Sequence, residues 1–135
     1  MGQQQLLLIV LGVIIVGIAI VVGINLFNAN AEESAKDTLV SEGTNLGAMA
    51  QQFYKKPKAL GGGGNTFDSG GVSNGGFVIP PKLETSSIGN IKWVLTKTAQ
   101  SCTFTFTNVK ATTGYNFSTV VITVTPSEIT SVVNN

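Results

Sequence analysis

The sequence contains no histidine, no arginine and one cysteine, Cys102. These absences remove Cys/His zinc sites, a Ser-His-Asp or Cys-His catalytic pair, and any disulfide within one chain. Charge is scarce too: eight lysines against seven Asp and Glu give a formal +1 over 135 residues. No basic field points to nucleic acid, and no acidic run to a solvating tail. The carboxylates Asp68, Glu84 and Glu128 lie too far apart in sequence to argue for calcium. Without histidine, scattered carboxylates offer no acid/base pair, so no catalytic residue, metal or cofactor is nominated. No charged side chain precedes Glu32.

That charge-free stretch holds the longest apolar run. Residues 6–24 are Leu, Ile, Val, Ala and Gly only, and 15 of these 19 are large aliphatics. About 20 apolar residues cross a bilayer, and at roughly −0.3 to −0.6 kcal/mol each near the centre the aliphatics favour insertion by several kcal/mol. Eleven are β-branched, which weakens a helix in water, but in lipid the backbone must bond to itself and the helix wins. A cleaved secretory signal fits poorly, because residues 1–5 carry no Lys or Arg and the run exceeds a signal's 7–15 residues. Myristoylation at Gly2 is disfavoured by Leu6, where the motif has Ser or Thr. A plain membrane anchor remains, although anchors usually carry flanking positive charge. Its lack of a basic flank leads us to expect that residues were removed ahead of Met1.

The helical pattern continues past the apolar run. Ala35, Leu39, Leu46, Met49 and Phe53 follow at steps of 4, 7, 3 and 4, with Glu42 and Gly43 at the missing slot. This is one stripe of an amphipathic helix seeking a partner surface. Lys55 and Lys56 precede Pro57, where cations suit the helix dipole and proline ends the pattern. A helix over about residues 2–55 would run about 80 Å, more than twice the hydrocarbon thickness. Gly12, Gly17 and Gly23 do not share a face. Gly43 and Gly47, at about 1 kcal/mol of helix stability each, make 43–47 the expected place for a bend or local melting.

The uncharged MGQQQ start, the aliphatic run, its continuation into an amphipathic half and a β-rich remainder together resemble a mature type IV pilin, or a bacterial pseudopilin or archaeal pilin. The resemblance is architectural and covers the first 55 residues best. It implies that a prepilin peptidase removes a leader, that Met1 is the processed and N-methylated residue, and that pilus assembly machinery bundles the helices into a filament. The implied filament core and membrane helix comprises Leu6, Leu7, Ile9, Val10, Val13, Ile14, Val16, Ile18, Ile20, Val21, Ile24 and Phe27, with Gln3, Gln4 and Gln5 as N-terminal polar contacts. Many bacterial pilins begin with Phe and carry Glu at the fifth position; here Met1 and Gln5 stand there. Gln5 can accept a hydrogen bond from an ammonium group without the carboxylate's charge.

Eight of the 16 residues in 61–76 are glycine. They read as a connecting loop, pinned at Phe67 and Val72; no GK[ST] follows, which argues against a phosphate loop. From Phe77 the period becomes two. Residues 91–97, 103–107 and 119–125 read as strands, with 77–79 as an edge strand and turns at Pro80-Pro81, 87–90, 98–101 and 112–116. Trp93, Phe104, Phe106, Val120, Ile122 and Val124 should face inward. So small a domain needs more core, and the stripe from Ala35 to Phe53 is the expected helix-to-sheet contact. Twelve threonines among the last 51 residues follow from β-propensity. Asn116-Phe117-Ser118 is an N-glycosylation sequon. Cys102 reads as an inert small residue beside a turn.

The expected fold is therefore α+β. It comprises a helix in 1–56 (hydrophobic half 6–27, amphipathic half 28–56), a Gly-rich loop in 57–76 and a β-rich domain in 77–135. Two function classes follow. One is a structural subunit that is stored in the membrane, polymerises with many copies of itself into an extracellular surface filament for adhesion or motility, and requires no nucleic acid; minor pilins and secretion pseudopilins are its nearest variants. The other is a single-span membrane-tethered binding module.

Overall fold

A computed structural model of the chain describes residues 2–68 and 75–135. Met1, Gly70-Gly71 and Val72, to which the sequence assigns roles, lie outside the described residues. The architecture is α+β. Helix α1 (Gly2–Lys55) and a 3-10 turn (Lys58–Leu60) precede strands β1 (Val94–Lys97) and β2 (Cys102–Phe106); helix α2 (Val109–Thr113) and strands β3 (Thr119–Val124) and β4 (Ile129–Asn134) follow. The strands form one open antiparallel sheet in the order β1-β2-β3-β4. The chain divides into two compact units, Met1–Ser34 and Ala35–Asn135.

In the second unit, one stripe of α1 is buried: Ala35, Leu39, Gly43, Leu46, Gly47 and Ala50. The inner face of the sheet supplies Cys102, Phe104, Phe106, Val120, Ile122 and Val124, and all six are fully buried. The strict alternation in β2 and β3 follows from the two-residue pleat. Aromatic rings link the layers: Phe53 meets Phe77 edge-on at 5.7 Å, Phe77 meets Phe104 at 6.0 Å, and Trp93 tilts against Phe106 at 5.1 Å.

The helix is unbroken through 43–47, so the local melting that propensity suggests does not occur. Gly43 and Gly47 face the sheet, and the missing side chains let backbone and strand approach. A Cβ on Gly43 would run into Ile122 Cγ1 and lie 3.0 Å from Trp93 Cη2; one on Gly47 would lie 2.9 Å from Val124 Cγ2. Packing outweighs the roughly 1 kcal/mol propensity deficit of each glycine.

Three local readings are corrected. Residues 77–79 form no strand. Phe77 donates its N–H to Phe67 O at 2.9 Å, and Pro80-Pro81 removes two consecutive donors and opens a turn closed by Leu83 N–H on Pro80 O at 2.8 Å. Phe77 and Ile79 are buried through side-chain packing instead. The fourth strand is β4, which follows a turn where Thr125 N–H meets Glu128 O at 2.8 Å. Residues 112–116 are not a simple turn: α2 occupies Val109–Thr113, entered through Asn108 at φ 65° and closed by Gly114 at φ 79°.

The glycines after α1 are ordered rather than slack. Gly63 N–H bonds Phe53 O at 2.8 Å, Gly64 N–H bonds Lys56 O at 2.9 Å and Asn65 N–H bonds Tyr54 O at 2.9 Å. These contacts satisfy the carbonyls that a helix end leaves orphaned. Phe67 is fully buried, its ring 4.7 Å from Tyr54.

Candidate assembly helix and exposed surfaces

Within the first unit, the described residues are helical throughout, and those from 2 to 30 are all exposed. Between Leu6 and Phe27, 17 large apolar side chains are each 53–74% exposed. At 100° per residue they occupy every side of the helix, so no polar face exists on which it could lie against water. Leu6, Leu7, Ile9, Val10, Val13, Ile14, Val16, Ile18, Ile20, Val21, Ile24 and Phe27 all belong to this surface. Gln3, Gln4 and Gln5 are exposed one turn before it. Around Gly12, Gly17 and Gly23 nothing lies within 4 Å of where a Cβ would stand. The segment is long and apolar enough to cross a membrane.

The other nominated positions fall in the second unit. Ala35, Leu39 and Leu46 are buried, while Met49 and Phe53 are half-buried and pack against the same core. Glu42, on the same helix, stands in the sequence as a gap in the stripe. Its carboxylate accepts hydrogen bonds from Ser86 Oγ, from Ser87 Oγ at 2.6 Å and from Ser87 N–H at 3.2 Å, pinning the loop ahead of β1. Forty-four residues separate the partners, so no local pattern marks them. Gln51 Nε2 adds a bond to Thr125 O at 3.0 Å. Lys36 Nζ stands 5.5 Å over the Phe117 ring.

The threonines sort by pleat. Thr96, Thr103, Thr123 and Thr130 pair in register across all four strands, and each alternates with side chains turned to the core. With Thr105 and Thr119 they make six of the twelve; the other six lie outside the strands, Thr112 and Thr113 among them in α2. Cys102 is fully buried, and burial pushes its thiol up to about 12, with Lys97 pulling weakly the other way. Such a thiol stays protonated and inert. Asn116 is exposed at a bend between α2 and β3. Among the described residues no group of three His, Cys, Asp or Glu is placed to hold a metal.

No protein-family model matches the chain, and comparison with curated proteins and with solved structures gives no match either.

Proposed function

We propose that this chain is the structural subunit of an extracellular type IV pilus-like filament. It is held in the membrane by its apolar helix before assembly and polymerises by bundling that helix with those of many other copies. The single observation that carries the reading is the charge-free helical surface from Leu6 to Phe27, exposed on every side. With roughly 15 aliphatic side chains at 0.3–0.6 kcal/mol each, leaving lipid for water would cost several kcal/mol, so only lipid or other apolar helices can surround it. Exchange of lipid for neighbouring subunits then comes at little net cost, because one apolar surround replaces another. The second unit covers its own stripe of the helix with its own sheet and turns strand threonines outward. Adhesion or motility is a property of such a polymer, and catalysis is not required.

The test is purification of surface fibres from cells that make the chain. Fibres whose main mass is this chain, absent when the gene is deleted, are the expected outcome. Cells without fibres, yielding a monodisperse detergent-solubilised monomer, would overturn it and leave a membrane-tethered binding module.

A further inference from the structure

The triplet Asn116-Phe117-Ser118 is the single Asn-X-Ser/Thr sequence in the chain, and nothing in filament assembly uses it. The fold treats its three residues differently. Asn116 is exposed. Phe117 is fully buried, stacked at 6.0 Å on Tyr115 and covered by Lys36. Ser118 is tied into the end of the β3-β4 ladder: its N–H donates to Asn134 O at 2.9 Å and its hydroxyl to the same oxygen at 3.4 Å.

We infer that Asn116 is an N-glycosylation site, modified while the chain is still open and before β4 closes on Ser118. A glycosyltransferase must draw the acceptor tripeptide into its own site to hold the asparagine amide and the serine hydroxyl together, and in the finished fold the buried Phe117 ring and the Ser118 N–H bond to Asn134 O keep that backbone down. The exposed amide, by contrast, has room for a bulky hydrophilic sugar without disturbing the core. In the transfer step, Asn116 Nδ2 forms a bond to the anomeric carbon of an oligosaccharide carried on a polyprenyl phosphate or diphosphate. The bond from that carbon to the phosphate oxygen breaks, the lipid phosphate departs with the electron pair, and one amide proton passes to a base of the transferase. The inference rests on the proposed function only in placing the β unit outside the cytoplasm.

Peptide mapping and intact mass of the full chain from cells that produce it test this, for wild type and for the Asn116→Gln, Ser118→Ala and Ser118→Thr variants. A sugar mass on the peptide containing Asn116, lost in the first two variants and kept in the third, is expected. A bare wild-type peptide, or a sugar surviving Asn116→Gln, overturns the site. The timing is tested with chain from a host lacking such a transferase, mixed with transferase and lipid-linked donor. Modification only after unfolding is expected, and equal modification of the folded chain overturns the early step. Fibres built from bare subunits would defeat this inference and spare the filament; a glycosylated chain in cells without fibres would do the reverse.

Discussion

Replacing Gly43 with alanine sets two physical effects against each other. In an open helix the change stabilises by about 1 kcal/mol, since alanine is the best helix former and glycine among the worst. At Gly43, however, the new methyl would overlap Ile122 Cγ1 and press on Trp93 Cη2 at 3.0 Å and Ile122 Cδ1 at 3.1 Å. Ile122 is fully buried in the central strand β3 and cannot swing away. Overpacking of this kind costs about 1–3 kcal/mol, so the net expectation is destabilisation by up to about 2 kcal/mol. Trp93 is the protein's one tryptophan and lies beside the new methyl, so its fluorescence reports both the local shift and the unfolding midpoint. Denaturant titration of the full chain in detergent should show a lower midpoint for Gly43→Ala. Adding Ile122→Ala, which opens the space, should give a coupling of about 1 kcal/mol or more, since the two sites touch. The control is Gly17→Ala, where nothing lies within 4 Å; it should leave the midpoint of the second unit unchanged. If Gly43→Ala stabilises by the propensity increment, the close helix-sheet contact is wrong.

Three further outcomes are expected. Glu42→Gln weakens the charge-assisted bonds from Ser86 and Ser87 and should lower stability by about 1–3 kcal/mol in the same titration; an unchanged midpoint would refute the role. Ile14→Lys puts a charge in the middle of the apolar run at about 3–4 kcal/mol against insertion. It should abolish both membrane retention and fibres, and normal fibres would refute apolar bundling. Cys102 should resist a soluble thiol reagent until the chain unfolds. Because the folded thiol titrates at about 12 and the unfolded one near 8.5, the unfolded state loses its proton first. This contribution is therefore constant below about pH 8 and falls by up to about 1.4 kcal/mol per pH unit between the two values. A slope above pH 9 identical in Cys102→Ala would contradict it.

Much of the fold was legible because periodicity reports burial directly. Alternation alone separated Phe104, Phe106, Val120, Ile122 and Val124 from Thr105, Val121 and Thr123 between them, and Lys55 with Pro57 marked the end of α1. What escaped was set by contacts distant in sequence. Gly43 and Gly47 look like defects until Ile122 and Val124 arrive from some eighty residues away. Strand β4 has only Ile129 and Val133 leaning on the core, so its alternation is faint, whereas 77–79 is apolar for side-chain packing and lacks a ladder. Helix α2 is five residues long and rich in Val and Thr, which propensity assigns elsewhere. The apolar surface of the first unit was legible in full, since it depends on composition and on no tertiary contact.

The hairpin order of the sheet also sets a schedule. A ribosome delivers the greasy stripe of α1 early, and the edge strand β4 arrives last: Gly47 rests against Ile129 as well as Val124, and Asn134 secures the start of β3. A nascent chain stopped before Ile129 would leave β3 as a raw, unpaired margin open to other strands.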